Sequence, residues 1–336
     1  MGGGPLAVRD LRGRPLLDAP PSWLRVAERG DGIEARGARG GVRAPGLRVS
    51  SAAGRSVRVN ARDYPGVIEI SRMADGLVAV NVVPFEEYLV GAIKAEAGDR
   101  APLEMLKAQA IVARTYAAYH RRLHASKPFH ILASTAHQQY LGSVAADSPA
   151  WIAARETAGQ VLLWEGALFP AFYHTDSGGH TEDPRVVFAA QGMPALRPVR
   201  VDFASDSPHQ TWRLDVPLDA LDGFLRAGGV SVGYVVGLEV LERSASLRVN
   251  RIAVHGTQGS AELRGNDFRR LVGYDTLKST LFAVAVDGTV ARFAGRGYGH
   301  GVGMDQARAS TMAAQGYRAL EILAFYYPGA TLGRLP

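Results

Sequence analysis

Between Gly295 and Met304 the chain reads Gly-Arg-Gly-Tyr-Gly-His-Gly-Val-Gly-Met, with glycine at every second position. In an extended segment successive side chains point to opposite faces, so this alternation strips one face of side chains. Such a run weakens a strand and makes sense only where something must come close to the backbone. Two explanations fit at this level. Either a ligand approaches the bare face, with His300 left exposed among the glycines as its polar contact, or another strand crosses in tight packing. The run has no Gly-Lys-Ser/Thr ending, which argues against a phosphate loop, and no strand-helix-strand unit surrounds it, which argues against dinucleotide binding.

The rest of the chain sets that run in an α+β frame. Residues 1–55, rich in Gly, Arg and Pro with short alternating runs, read as an irregular, partly stranded lead-in. From residue 56 the pattern firms: Val57-Arg58-Val59, Val67 to Ile70 and Leu77 to Val82 are strand-like, and Asp75-Gly76 is a hairpin signal. Pro84 opens a helix with Glu86 and Glu87 in its first turn, and Gly98 closes it. A second helix runs from Pro102 to about Arg122, its inner face mostly alanine. A short helix over 150–158, strands over 161–164 and 171–174, and a mixed region over 200–290 follow. Helices near 305–316 and 317–326 close the chain. Strands and helices are segregated, with small antiparallel sheets and a helical pair, hence α+β. The expected division is a lead-in over 1–55 and one main domain over 56–336.

Charge narrows the class less than pattern does. Lys+Arg number 38 against 32 Asp+Glu, a net charge of +6, and lysine occurs only at 94, 107, 127 and 278. The basic residues are scattered and form no tract, so charge alone leaves nucleic acid, an anionic membrane or a wall polymer open. The absence of cysteine excludes disulfides, CxxC redox chemistry and thiolate zinc sites. No stretch of about 18 apolar residues is present, so no transmembrane segment is expected. The opening Met1-Gly2-Gly3-Gly4 carries the expectation that a native export signal or anchor has been lost ahead of it.

Glu96 is the first residue with chemical content. Leu89, Ala92 and Ile93 precede it by seven, four and three positions, so its carboxylate projects from the apolar stripe of the first helix. Burying a carboxylate is costly unless it is paired, and the usual result is a raised pKa suited to a general acid. A salt bridge to Lys107 or Arg114 is the structural alternative. Lys107 and Arg114, like Gln109 and Tyr116, are seven apart and share a helix side; alone, each pair reads as surface, and Glu104 supports Lys107 at i−3. In Phe172 to Thr181 a strand runs into Gly178-Gly179. Ser177 with His174 and Asp176 suggests a hydrolase, yet no GxSxG elbow surrounds the serine. His120 and His124 have zincin spacing without its glutamate, so a surface helix end is expected.

Together these segments resemble the SpoIID/LytB family of sporulation stage II protein D lytic transglycosylases and amidase enhancers. The similarity is carried, in order, by VNVVPFEEYLVGAIKAEAG, LEMLKAQAIVARTYAA, FYHTDSGGHTED, GRGYGHGVGMDQARA and EILAFYYPGATL. It implies a SpoIID-like domain that cleaves peptidoglycan glycan strands between N-acetylmuramic acid and N-acetylglucosamine, leaving a 1,6-anhydro product. Glu96 maps onto the catalytic acid. The implied substrate groove contains Lys107, Gln109, Arg114, Tyr116, Gln138, Tyr140, Tyr173, His174, Ser177, Gly178, Gly179, Thr181, Gly299, His300, Gly301, Met304 and Gln306. Enhancer members imply binding without catalysis, with a cell-wall amidase as partner.

The resemblance also implies an exported protein at the cell wall or in the periplasm, whose partner is glycan and not nucleic acid. No cofactor is expected. Zinc-containing members carry Cys, then His and Cys, where His130 to Gln138 here offers Leu132, Ala136 and His137, so no metal site is expected either. Met304-Asp305-Gln306 stands where Met-Ser-Gln is usual, and Asp caps a helix as well as Ser.

Overall fold

The computed structural model describes residues 4–335 apart from Arg39, Arg55 and 189–191. Met1, Gly2 and Gly3, on which the expectation of a lost signal rests, lie outside them. The chain divides into two compact units, one of residues 1–100 and 120–158, the other of 101–119 and 159–336.

Among the described residues the first unit begins with nine strands: β1 (Leu6–Asp10), β2 (Arg25–Arg29), β3 (Gly32–Gly37), β4 (Gly40–Ala44), β5 (Gly46–Ser51), β6 (Val57–Val59), β7 (Arg62–Tyr64), β8 (Val67–Met73) and β9 (Gly76–Val82). They pair antiparallel as β1-β5-β8-β9, β2-β3-β4 and β6-β7. Alternate residues Leu6 and Val8, Leu47 and Val49, Ile68 and Ile70 face one core. Each such side chain contributes roughly 1.5–3 kcal/mol by leaving water. One expectation is corrected here. The supposed lead-in supplies β1 and β5 to the sheet that β8 and β9 complete, so a boundary at 55/56 cuts through one core. Its alternation was too short and its glycines too many for the pairing to show locally.

Helix α1 (Phe85–Ala97) follows Pro84 and ends where Gly98, at φ 68°, turns its N–H back to the Lys94 carbonyl. Helix α2 (Leu103–Leu123) contributes residues up to Tyr119 to the second unit and its last turn to the first. Helix α3 (Pro149–Glu156) is capped by the Ser148 hydroxyl.

The second unit continues with β10 (Gln160–Trp164), β11 (Ala167–Leu168), β12 (Tyr173–His174), α4 (Pro184–Phe188), β13 (Trp212–Pro217), α5 (Leu218–Ala227), β14 (Val235–Arg243), β15 (Val249–Gly256) and β16 (Gly259–Arg264). Then come α6 (Gly265–Val272), β17 (Phe282–Asp287), β18 (Val290–Gly295), β19 (Met304–Asp305), α7 (Gln306–Ala314), α8 (Ala319–Tyr326) and β20 (Thr331–Arg334). Sheets β13-β18-β17 and β14-β15-β16 share a core with α5 and α6, built on Trp212, Leu221, Leu225, Ile252, Phe268, Phe282 and Phe293. The architecture is α+β. Among the described residues no helix is long and apolar enough to cross a membrane.

The glycine run is a loop, not a strand. Gly297, Gly299, Gly301 and Gly303 have φ of 76°, 112°, 86° and 73°, a region that side chains disfavour. What comes close to the bare backbone is the chain itself. A Cβ on Gly297 would sit 2.6 Å from the Asp176 carbonyl oxygen, one on Gly299 2.8 Å from His174 Cβ, and one on Gly301 2.6 Å from the Arg248 guanidinium carbon. On Gly303 it would overlap the Phe172 carbonyl. The short parallel pair Tyr173↔Met304 and His174↔Asp305 fixes this register. Of the two explanations the sequence left open, tight packing accounts for the alternate glycines.

Candidate functional site

Of Glu96 and the residues of the implied groove, Glu96, Gln138 and Tyr140 belong to the first unit and the others to the second.

In the first unit, Leu89, Ala92 and Ile93 are fully buried and Glu96, one turn on, is half-buried. The Gln139 backbone N–H donates to Glu96 Oε1 at 2.6 Å. The residues flanking Gln139 hold it there. Gln138 is buried and its Oε1 accepts from the Tyr88 hydroxyl at 2.7 Å. Tyr140 is buried, donates to Asn81 Oδ1 at 2.9 Å, and its ring lies 5.1 Å from that of Tyr88. Tyr140 also explains a mid-helix glycine: a Cβ on Gly91 would overlap its ring. Gln138 and Tyr140 thus position the loop that orients the carboxylate.

The zinc-equivalent stretch lies in the same unit. His120, His124 and His137 form a triangle with ring centroids 4.9–5.9 Å apart. The triangle corrects the surface reading of the helix end, because His120 is only 9% exposed. His124 Nδ1 donates to the His130 carbonyl, and His137 Nδ1 accepts from the Leu132 N–H, which leaves the ring proton of His137 on Nε2. A metal needs a lone pair from every ligand, and among the described residues no group of three His, Cys, Asp or Glu is arranged to hold one. Purified protein is therefore expected to carry no stoichiometric zinc and to keep its melting temperature in chelator; elemental analysis finding about one zinc per chain overturns this.

In the second unit the residues sort by burial. Lys107 donates to Glu104 Oε1 at 2.7 Å, the i−3 pairing read from the sequence. Arg114 is fully buried, with its guanidinium on the Gln160 carbonyl. Gln109 is buried and accepts from Gln306 Nε2 at 3.2 Å. Buried Tyr116 packs edge-on to Phe172. Thr181 is buried against the Val199 backbone, and Met304 is fully buried. Gly178 and Gly179, at φ 71° and 108°, carry the turn after Ser177 and stay half-exposed, as do Tyr173, Gly299 and His300, whereas Gly301 is buried.

The His300 ring sits in a box of Phe172, His174 and Phe188, with centroids 5.4–5.8 Å away. Its Nδ1 accepts from the Val302 N–H at 3.0 Å, so the ring proton is on Nε2. Burial, then neighbouring His174, Arg269 and Arg248, hold it well below the usual imidazole range. Such a ring donates and packs but is not protonated near neutral pH.

Beneath it lies a buried ionic centre that sequence reading did not assemble. Ser177 gives both its N–H and its hydroxyl to Asp305 Oδ2, at 2.8 and 2.6 Å. Asp305 also caps α7, accepting from the Arg308 N–H, and Arg308 bridges Asp305 and Asp176. Arg248, fully buried, donates to the Ser177 and His180 carbonyls at 2.6 and 2.8 Å. Burial pushes its pKa down to about 10, against the pull of Glu182, Asp305 and Asp176. The Ser177-His174-Asp176 hydrolase reading fails here, because the Ser177 hydroxyl is committed to Asp305. Arg308 and Asp305 were visible in the GMDQARA motif; nothing in the spacing around Arg248 marked it.

Buried histidines make stability pH-dependent, His120 and His174 most plainly. Burial lowers His120 to about 4 and His174 to about 3, from 6.5. Between pH 6.5 and those values only the unfolded chain takes up the proton, so stability that is full above pH 6.5 is lost on acidification. Each histidine contributes about 1.4 kcal/mol per pH unit in that window. The melting temperature should fall steadily from pH 6.5 to 4, and His120→Phe should flatten part of the slope. A melting temperature constant across the window contradicts this.

The carboxylate held on an apolar helix face by a loop N–H falls in a segment that known proteins share. Residues 73–164 match the family model described as SpoIID, Stage II sporulation protein, and residues 207–303 match a domain of unknown function (DUF8618). The chain is 29% identical over 275 residues to Stage II sporulation protein D of Bacillus amyloliquefaciens, covering 76% of this chain and 75% of that protein. It is 28% identical over 290 residues to the amidase enhancer of Bacillus subtilis, covering 73% of this chain and 40% of that protein. An uncharacterized protein of Brachyspira hyodysenteriae is 27% identical over 275 residues, 82% of this chain and 73% of that protein. Over residues 73–164 the chain carries the SpoIID pattern, and across most of its length it is similar to proteins of the SpoIID/LytB family.

Proposed function

We propose that this protein is an exported peptidoglycan lytic transglycosylase with Glu96 as its single catalytic group. The observation that carries the reading is a carboxylate on the buried face of α1 with one oxygen held by the Gln139 N–H. Glu96, protonated, gives its proton to the glycosidic oxygen as the bond from muramic C1 breaks. The carboxylate so formed takes the proton from the muramic C6 hydroxyl as that oxygen bonds to C1, closing the 1,6-anhydro ring. No water is consumed and the acid is regenerated, so one carboxyl group suffices where a hydrolase needs two. The half-exposed Tyr173, Gly179, Gly299 and His300 offer a surface that sugar hydroxyls can use, His300 as a neutral ring.

The similarity to a protein named amidase enhancer favours a second reading, a non-catalytic wall-binding module that acts on a cell-wall amidase. Digestion of purified sacculi, followed by mass analysis of released sugar ends, separates the two. Anhydromuramic ends are expected; reducing muramic ends mean hydrolysis, and binding without release assigns the enhancer role.

A further inference from the structure

The outer face of the β13-β18-β17 sheet, within the second unit, carries a feature the proposed chemistry does not use. Strand register aligns Arg213 with Ala294 and Ala294 with Ala283, and all three are exposed. Two methyl groups make a shallow floor with an arginine at one end. That floor belongs to a cleft of about 790 Å³ that Arg243, Arg296 and the exposed Leu247 also line. Three guanidinium groups line it and, among the described residues, no carboxylate does.

Arg226, Arg251, Arg292 and Arg308 of the same unit each have a carboxylate partner. Arg213, Arg243 and Arg296 have none among the described residues. Arg243 is nonetheless fixed, donating to the Leu247 and Phe282 carbonyls at 2.8 and 2.9 Å. Its remaining N–H groups point the charge without a matching anion. Like charges gathered in a concave, partly apolar site raise the local concentration of anions, and guanidinium groups bind carboxylates in pairs of parallel hydrogen bonds.

Spacing selects the kind of anion. Adjacent strands lie about 4.8 Å apart, so the cleft spans roughly 10 Å from β13 across to β17. An extended peptide presents side chains on one face about every 6.8 Å. Two carboxylates separated by one residue fit within that span, while the alanine floor leaves room for the backbone and Leu247 for an apolar side chain. We propose that this cleft binds a short extended peptide bearing two or three carboxylates. The proposal does not depend on the role of Glu96.

The test uses the full chain and a labelled probe, acetyl-Asp-Ala-Glu-Ala-Asp-amide, titrated by fluorescence polarisation at low salt. Saturable binding is expected, at least tenfold tighter than for the Asn/Gln counterpart of the probe. Arg213→Gln should weaken it three- to tenfold. Ala294→Glu, which keeps all three arginines and sets a carboxylate on the floor beside Arg213, should abolish it with the melting curve unchanged. Equal binding of the neutral counterpart, or full binding by Ala294→Glu, overturns the proposal. So does inorganic polyphosphate that outcompetes the peptide at every ratio, since the cleft is then a phosphate-polymer site.

Discussion

Glu96→Gln should leave the melting temperature and sacculus binding near those of the unaltered protein while release of anhydro products falls by about 10² to 10⁴, the usual worth of general acid-base catalysis. The substitution suits the site because a glutamine Oε1 can still accept the Gln139 N–H that Glu96 Oε1 accepts at 2.6 Å. What it removes is the proton. Glu96→Ala also removes the acceptor and is expected to loosen the Gln138 to Tyr140 loop, so it lowers stability as well as release. Release and melting measured on one preparation of each variant separate the chemistry from the support. Unchanged release by Glu96→Gln eliminates this residue as the catalyst and leaves the enhancer reading.

Arg248→Leu should produce the largest loss of stability. The guanidinium is fully buried, holds two carbonyls and faces the charges of Glu182, Asp305 and Asp176. Replacing it leaves those acceptors dry and leaves Arg308 alone to offset Asp305 and Asp176, which costs about 3–5 kcal/mol. For a unit of this size the melting temperature should drop on the order of 10 °C. Arg248→Lys should recover only part, because an ammonium group cannot reproduce the planar fork on the Ser177 and His180 carbonyls. A melting temperature within 2 °C of the unaltered protein shows that the centre is not held this way.

Features set by neighbouring residues were legible in the sequence, and features set by distant ones were not. Pro84, Gly98 and the acidic first turn bound α1 to within a residue, since capping is local chemistry. The hairpin of β8 and β9 was visible for the same reason. Strands β1 and β5 were seen as fragments because β1 finds its partner β5 about 40 residues further on, and β5 its partner β8 about 20. For the glycine run, local sequence announced that something comes close without saying what. The answer involves Phe172, His174, Asp176 and Arg248, between about 50 and 130 residues away. At the candidate site, the apolar setting of Glu96 was readable from helical spacing. The N–H that orients it belongs to the backbone of Gln139, and backbone groups leave no trace in a sequence.

The path of the chain through its two units bears on how the protein is made. Synthesis runs from the N-terminus, so α2 is complete long before the residues it serves. Thr115 awaits the N–H of Leu162, Gln109 awaits Gln306, and Glu104 awaits the N–H of Ala319. Roughly 200 residues must be added before the last of these arrives, which at bacterial-type rates takes on the order of ten seconds or more. During that interval a largely apolar helix has no finished core to enter. A fragment ending near residue 164, where the family match stops, freezes the chain at that stage, holding 101–119 without the rest of their unit. Such a fragment should be a client of chaperones on the ribosome, and the whole chain a poor candidate for dissection at its family boundaries.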